Sequence, residues 1–176
     1  MARIVGYIAA SLDGFIATPE ENLDWLMQQP DLELGEYDYR HFIERIRTVV
    51  MGRATYDWIE RFPGAWEYAG KRVIVVTSRP IDNPKGPLET RSDIPALIAE
   101  LRRLDDGDVW MLGGGKLQMT FMEQAALDEI EIYIISEIIG GGIPLFPATG
   151  ARLSPKLISA QALGTACARL HYRFTQ

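Results

Sequence analysis

The chain has 176 residues and a formal net charge of −6 at pH 7, with a sequence pI of about 5.0. An acidic surface of this kind disfavours non-specific binding to nucleic acid or to an anionic membrane, so we expect neither partner. No apolar run approaches the length of a membrane span. The single cysteine, Cys167, excludes an intrachain disulfide and a cysteine-rich metal site, and we expect no metal. Residues 1–176 therefore predict one globular domain in a reducing, cytoplasmic setting.

Short β-branched runs alternate with helical patterns along the chain. The predicted strands are mostly continuous apolar runs, as in strands buried on both faces: 3–10, 47–52, 71–78, 108–113 and 129–136. Helical periodicity falls between them, in 36–47, 91–104 and 116–125, and Ser92 or Asp93 is a candidate cap for the second helix. Residues 156–175 predict two strands joined near Gly164. We therefore expect an α/β fold with a mostly parallel sheet, helices on both faces and an antiparallel hairpin at one edge.

Three consecutive glycines, Gly113 to Gly115, lie between the predicted strand "VWML" and the helical segment that starts near Lys116. The free amides at the start of a helix, together with the helix dipole, favour an anion, and glycine lets a phosphate approach the backbone. The spacing matches neither the Rossmann fingerprint nor the P-loop. The triplet alone fits a phosphate site or a structural turn.

Two further strands end in groups that suit a phosphate. In "VVMGRATYDWI" the strand ends at Gly52 and is followed by Arg53, which could bind a phosphate monoester with two hydrogen bonds or form a surface salt bridge. The strand "VIVVTSRP" ends in Thr77, Ser78 and Arg79. Since ligands of parallel α/β sheets bind at the carboxyl ends of the strands, all three clusters predict one site.

These segments, in this order, resemble the cofactor-binding segments of the dihydrofolate reductase superfamily. The opening "GYIAASLDGFIA" and the late "GGGIPLFP" are more similar to one branch, which contains the reductase domain of the bifunctional riboflavin-biosynthesis deaminase/reductase and its stand-alone relatives. The resemblance covers essentially the whole chain. It implies a dihydrofolate-reductase-like three-layer fold, NADPH as hydride donor and a homodimer.

The resemblance also implies roles for individual residues in holding NADPH. Arg53 would bind the adenosine 2′-phosphate, and the first turn after its strand would hold the other phosphates. Further groups would flank the adenine, the pyrophosphate and the nicotinamide. The implied cofactor-binding residues are Ala9, Ala10, Ile16, Gly52, Arg53, Ala54, Thr55, Thr77, Ser78, Arg79, Leu112, Gly113, Gly114, Gly115, Lys116 and Leu117.

Reduction of an imine or carbonyl carbon also needs a proton donor. Asp24 stands where the superfamily carries its active-site carboxylate, and we expect it to be catalytic, in a partly apolar pocket that raises its pKa. An acid in the first turn of a helix is also favourable without any catalytic role. Trp25 is expected to form a wall of the substrate pocket. Asp13 either shapes a turn with Gly14 or faces the bound ligands.

Two departures limit the choice of substrate. Lys71 stands near the position at which the folate enzyme carries an arginine for the substrate's glutamate, and the zinc deaminase signature is absent. We therefore expect an NADPH-dependent reductase of a small heterocyclic substrate, with the ribosylaminopyrimidinone of the riboflavin pathway as the first candidate. A pteridine or dihydrofolate reductase and an NADPH-binding module without turnover are the alternatives.

Overall fold

The computed structural model describes residues 1–29, 32 and 34–174, and in these the chain alternates strands and short helices. The strands are β1 Ile4–Ser11, β2 Phe15–Ala17, β3 Ile46–Gly52, β4 Arg72–Val76, β5 Glu89–Arg91, β6 Asp108–Gly113, β7 Glu129–Ile135, β8 Ile143–Pro144, β9 Lys156–Leu163 and β10 Cys167–Arg173. The α-helices are α1 Asp24–Met27, α2 Tyr39–Glu44, α3 Arg53–Glu60, α4 Ile94–Leu101 and α5 Gly115–Glu123. A 3₁₀ turn, Gly35–Tyr37, precedes α2.

Eight of the strands form one sheet in the order β5-β4-β3-β6-β1-β7-β10-β9. The strands from β5 to β7 are parallel to their neighbours, whereas β10 is antiparallel to both β7 and β9. The short strands β2 and β8 pair separately. This arrangement confirms the predicted α/β fold with its C-terminal hairpin. Thr175, the last residue of the predicted hairpin, lies outside the described residues.

The core has two halves, one on each face of the sheet. Successive residues of β3 show this, because Val50 packs into the cluster that contains α4 and α5 residues, while Val49 and Met51 pack with Phe42 of α2 and Tyr56 of α3. All five side chains are 5% exposed or less. Burial of each such apolar side chain contributes about 1.5–3 kcal/mol, which explains why these strands read as continuous apolar runs.

Two predicted helices are shorter than their periodicity indicated. The helix expected over 36–47 is limited to α2, because Asp38 caps it by accepting a hydrogen bond from Arg40 N, and Ile46, fully buried, already belongs to β3. The helix expected over 91–104 is α4, capped by Asp93 rather than Ser92. The edge strand β5 was not predicted, because three residues with two charges give no apolar signal.

Candidate active site

The sheet has a topological switch point between β3 and β6. The connection from β3 leads through α3 to β4. The connection from β6 leads through α5, past β1, to β7, so the two connections run in opposite directions from neighbouring strand ends. A Cβ atom built on Gly52 would lie 4.0 Å from the carbonyl oxygen of Gly113, which shows how closely these ends approach. Crevices of this kind hold the ligands of open α/β sheets.

The three glycines of the β6–α5 turn differ in what their positions require of the residue. Gly113 has φ +145°, a conformation that L side chains rarely adopt, and its peptide bond to Gly114 is cis. Cβ atoms built on Gly113 and Gly114 would meet nothing nearer than Thr55 Oγ1, at 3.9 and 3.7 Å. A Cβ on Gly115 would lie 2.8 Å from the carbonyl oxygens of Leu145 and Pro144. Gly115 is therefore fixed by packing, and the first two glycines keep the turn open beside Thr55.

The first amides of α5 face this turn without a side-chain cap in the described chain. Gly114 is the N-cap residue, and its carbonyl accepts hydrogen bonds from Leu117 N and Gln118 N. Leu117 itself is buried in the core, so it could meet a ligand only through its backbone. Lys116 is exposed on the first turn of the helix. Open amides and a cation at this place suit a pyrophosphate.

Arg53, the first residue of α3, connects two of the predicted clusters. Its Nη1 donates to the carbonyl oxygen of Pro80 at 3.0 Å, which holds the guanidinium against the turn after β4. Its Nε lies 2.6 Å from Asp57 Oδ1, one turn along the same helix. In the β4 turn, Thr77 Oγ1 accepts from Arg79 N at 3.0 Å, and Ser78 and Arg79 are exposed. Two arginines therefore lie on one rim of the crevice, and Ala54, the second residue of α3, is exposed.

Two of the residues that the resemblance assigns to the nicotinamide, Ala9 and Ala10, lie near the end of β1, the strand next to β6. Ala9 and Ile16 are half-buried there, as is Leu112 on β6. Ala10 is fully buried and packs into the core on the α4–α5 face, so only its backbone is available to a ligand.

Asp13 forms the turn that the sequence suggested and also fixes a second loop. Its carboxylate accepts hydrogen bonds from Ile139 N at 3.2 Å and Gly140 N at 2.8 Å, and the next residue, Gly14, has φ +88°. The Ser11 hydroxyl and these two backbone amides hold the pKa of Asp13 below its usual value. A carboxylate that is committed in this way is a poor proton donor at neutral pH.

Asp24 begins α1, as expected, but the burial that the sequence argument assumed is wrong. Asp24 is exposed, and from the described chain its carboxylate accepts one hydrogen bond, from Asn22 Nδ2 at 2.9 Å. Asn22 Oδ1 in turn accepts from Asp24 N at 2.6 Å. Four helical residues are too few to bury Asp24, and the loop before them carries the polar residues Glu20, Glu21 and Asn22. The apolar contacts belong to the next residue, Trp25.

Trp25 packs against the cluster of Tyr133, Ile135 and Cys167 at the ends of β7 and β10. Its indole Nε1 is buried and has no hydrogen-bond partner among the described residues. A buried, unpaired donor is unfavourable by about 1–3 kcal/mol, so this N–H is available to an acceptor on a bound molecule or to a water.

Sequence reasoning missed a contact that ties the loop before α1 to α3. Trp58 Nε1 donates to the carbonyl oxygen of Glu21 at 2.8 Å, and Arg61 lies 3.3 Å from the Glu21 carboxylate. Glu21 has φ +63°, which is unusual for a residue other than glycine. The loop therefore joins the helix that carries Arg53 to the helix that carries Asp24. No local pattern signals a contact between residues so distant along the chain.

A polar network beneath α2 was missed as well. The hydroxyls of Tyr7 and Tyr133 both donate to the carbonyl oxygen of Tyr37 at 3.1 Å, and Glu131 pairs with Arg169 at 2.8 Å. Burial raises the pKa of Tyr7 to about 12, so its hydroxyl stays protonated as a donor. The alternation Glu-Ile-Glu-Ile-Tyr in β7 was the available signal. The network fixes the 3₁₀ turn and α2 on the sheet.

Lys71 is not a substrate-binding residue in this structure. Its Nζ donates to the carbonyl oxygens of Ile43 and Ile46, each at 2.8 Å, at the amino end of β4. The crevice lies at the opposite, carboxyl ends of the parallel strands. Among the described residues, no cluster of three or more His, Cys, Asp or Glu side chains could hold a metal ion. The helices of the described chain are all too short or too polar to cross a membrane.

Comparison with known proteins assigns this chain to a family. Residues 3–168 match the model of the RibD C-terminal domain. The chain belongs to the RibD C-terminal domain family. Within this family it is 33% identical over 174 residues to the uncharacterized protein YwjB of Bacillus subtilis (strain 168), with 97% of both chains covered. It is also 25% identical over 185 residues to the uncharacterized protein YyaP of the same organism, covering 98% of this chain and 95% of YyaP.

Solved structures agree with membership of the RibD C-terminal domain family. A Shewanella sp. PV-4 protein named for riboflavin biosynthesis superposes with a TM-score of 0.85 at 28% identity, covering 100% of both chains. Acinetobacter baumannii RibD gives 0.73 at 18% identity, and this chain, covered to 99%, spans 58% of that protein. Dihydrofolate reductase from Enterococcus faecalis, complexed with NADP(H), gives 0.64 at 17% identity, with 99% and 97% of the chains covered. The last two likenesses establish the shared fold, and the match to the family model confirms the resemblance drawn from the sequence.

Proposed function

We propose that this protein is an NADPH-dependent reductase of a small heterocyclic substrate. The observation that carries the proposal is the convergence of three strand ends at the switch point: Gly52 with Arg53 and Thr55, Thr77 with Arg79, and Gly113 with Gly114. Each of these strand ends supplies a group that suits a phosphate. The three strands β4, β3 and β6 are adjacent in the sheet, so the groups form a row. A dinucleotide extends along such a row, whereas a single phosphate needs only one of its sites.

The residues present fit NADPH in their chemistry. The backbone at Gly113 and Gly114 borders an open space, which a Cβ atom on either residue would make smaller. The first amides of α5 supply hydrogen-bond donors for a pyrophosphate. Arg53 and Arg79 lie on the rim and suit an adenosine 2′-phosphate, which distinguishes NADPH from NADH. NADPH, when bound, supplies a hydride. Ala9, Ala10 and Ile16 would surround the nicotinamide at the end of β1.

Asp24 is the carboxylate that we assign to proton donation. Hydride addition to an imine or carbonyl carbon leaves negative charge on the neighbouring atom, and a positioned acid neutralises it. Asp13 is committed to two backbone amides, and Asp38 caps α2 while pairing with Arg40 at 3.1 Å. Asp24 accepts one hydrogen bond from the described chain, and the next residue, Trp25, carries the unpaired indole N–H. Of these three aspartates, Asp24 is therefore the one least engaged by the described chain.

Family membership favours a ribosylaminopyrimidinone, reduced to its ribitylamino product, as the substrate class. A Thermotoga maritima neighbour, with a TM-score of 0.66 at 16% identity, is named as a deaminase and 5-amino-6-(5-phosphoribosylamino)uracil reductase. A pteridine or dihydrofolate is the alternative, and an NADPH-binding module without turnover is the alternative outside enzymes. A panel of ribosylaminopyrimidines and dihydropterins, assayed for NADPH oxidation, separates them. Tight NADPH binding without oxidation by any compound would favour the binding module.

We further propose that the protein is a homodimer through its C-terminal hairpin. Strand β9 lies at the edge of the sheet, and Leu157 and Ile158 on it are 56% and 45% exposed. An exposed apolar edge strand favours pairing with another chain, and a second copy closes it symmetrically. Light scattering at micromolar concentration should give about twice the 19.8 kDa of one chain. Leu157→Arg should return it towards the monomer, and a wild-type protein of 19.8 kDa would refute the dimer.

A further inference from the structure

The position of the cofactor determines where a substrate must lie. From the adenosine rim at β4 to the nicotinamide pocket at β1 there are three strand steps, through β3 and β6, or about 14 Å at about 4.8 Å per step. The substrate then lies beyond the nicotinamide, over the ends of β1 and β7. We call this region the substrate end. It is bounded by the loop 12–23, by α1 and by the segment 136–145, which Asp13 joins to the first loop.

In the part of the chain that the structure describes, the two loops and α1 that bound the substrate end carry no cationic side chain of their own. Residues 4–39 and residues 117–151 include no lysine, arginine or histidine, and these two stretches supply both loops, α1 and the start of α2. At the adenosine and pyrophosphate positions the chain instead carries Arg53, Arg79 and Lys116. The positive charge of the crevice is therefore confined to the part that binds the cofactor phosphates.

The substrate end is also acidic. Asp13, Glu20, Glu21 and Asp24 follow β1, and Glu137 follows β7, where its carboxylate accepts from Gln29 Nε2 at 3.0 Å. Both helices that begin on this side start with a carboxylate, since Asp24 is the first residue of α1 and Asp38 caps α2. The positive ends of their dipoles already have a negative partner, so they do not form a backbone anion site.

Four arginines on elements that adjoin this end are already paired with carboxylates. Arg61 lies 3.3 Å from Glu21, and Arg40 lies 3.1 Å from Asp38 and is 86% exposed. Arg45 and Arg169 both pair with Glu131, under α2. Lys156 lies opposite Arg173 at the other end of the sheet, near the start of β7.

We propose that the substrate end accepts a neutral or positively charged heterocycle and discriminates against a substrate that carries a phosphate or a free carboxylate. This inference rests on the proposed reductase function and narrows it. A bound anion gains affinity from arginine, lysine or a free helix N-terminus, and the described loops and α1 at this end supply none of the three, while several carboxylates would repel it. The natural substrate is then a ribosylaminopyrimidine without its phosphate, a pterin without a glutamate tail, or another heterocycle of similar charge.

Matched substrate pairs test this directly at saturating NADPH and low salt. One pair is 5-amino-6-(ribosylamino)uracil and its 5′-phosphate, and the other is dihydrobiopterin and dihydrofolate. We expect kcat/KM for the uncharged member to be higher by about 10–100-fold, the value of a missing charge-assisted contact. The ratio should shrink as salt screens the repulsion. Equal or faster reduction of the anionic members at low salt would overturn the inference, including the case in which a partner subunit supplies a cation.

A pair of charge variants separates the local field from the net charge. Ile138 is 70% exposed on the segment after β7, so Ile138→Arg adds a cation at the substrate end without disturbing the core. Ala99→Arg adds the same charge on the exposed side of α4, on the opposite face of the sheet. Ile138→Arg should raise the relative kcat/KM of the phosphorylated member by about 10-fold, and Ala99→Arg should leave the ratio unchanged. An equal shift in both variants would contradict a local origin.

A binding readout keeps this inference separate from the reductase function. If none of the four compounds oxidises NADPH, the proposed function fails, and quenching of tryptophan fluorescence by the same compounds decides the charge preference. Tighter binding of the uncharged member of each pair supports the preference, and tighter binding of the anionic member overturns it.

Discussion

Replacing Arg53 by alanine should weaken NADPH binding far more than NADH binding. The guanidinium is 26% exposed and is held by Pro80 O and Asp57, so it is already oriented towards the rim where a 2′-phosphate would lie. A charge-assisted contact of this kind contributes about 1.5–3 kcal/mol, which corresponds to about 10–150-fold in affinity. Because binding exchanges Asp57 for the phosphate as a partner, we expect a loss near the lower half of that range for NADPH. For NADH, which has no 2′-phosphate, the loss should be less than about threefold.

Isothermal titration of both cofactors measures this difference. The stability lost with the Arg53–Asp57 pair is about 0.3–0.5 kcal/mol, as for other pairs one helical turn apart, so the variant stays folded. Arg61→Ala, at the other end of α3 and 68% exposed, is the matched control and should leave both affinities unchanged. Equal losses for NADPH and NADH in Arg53→Ala would refute the assignment of Arg53 to the 2′-phosphate.

Three further predictions test other parts of the account. Asp24→Asn should lower turnover by about 10²–10⁴ and keep NADPH affinity within about threefold, and near-full turnover in stopped-flow assays would make Asp24 only a helix-start residue. Gly115→Ala should lower the free energy of unfolding in urea by about 1–3 kcal/mol, because its Cβ would lie 2.8 Å from two carbonyl oxygens, and Gly114→Ala should cost clearly less. The hydrogen bond from Arg72 lowers the pKa of Glu89 to about 2 from 4.5, so its contribution is present above pH 4.5 and is lost as the pH falls towards 2. Since Glu89 is 41% exposed, that contribution is under about 1 kcal/mol, and Glu89→Gln should be less stable than wild type at neutral pH and equal to it near pH 2, as urea unfolding can show.

The sequence predicted the strands and the glycine-rich turn after β6 well, because both have local causes. Runs such as Val49 to Met51 are apolar since both faces of β3 are covered. The triplet Gly113 to Gly115 was informative because a positive φ and close packing require glycine within a few residues. Signals of this kind come from residues that are neighbours in the sequence, so they can be recognised before the fold is known.

The substrate end was predicted less well, because its structure depends on contacts between distant residues. Asp24 was expected to be buried, but only the packing of α1 could decide that, and the helix is too short to cover it. Lys71 stands near the position of the folate enzyme's substrate-binding arginine in the sequence, whereas its ammonium group binds carbonyls at the amino end of β4. The contact between Trp58 and Glu21 has no pattern in the sequence at all.

The most direct test of the central claim is the oxidation of NADPH by the purified protein in the presence of a heterocyclic substrate. We predict that a ribosylaminopyrimidine or a dihydropterin without an anionic group is reduced with loss of the nicotinamide absorbance, and that NADPH is preferred to NADH. If the protein binds neither cofactor, or binds NADPH and transfers no hydride to any member of the panel, the account of this crevice as a reductase site is contradicted.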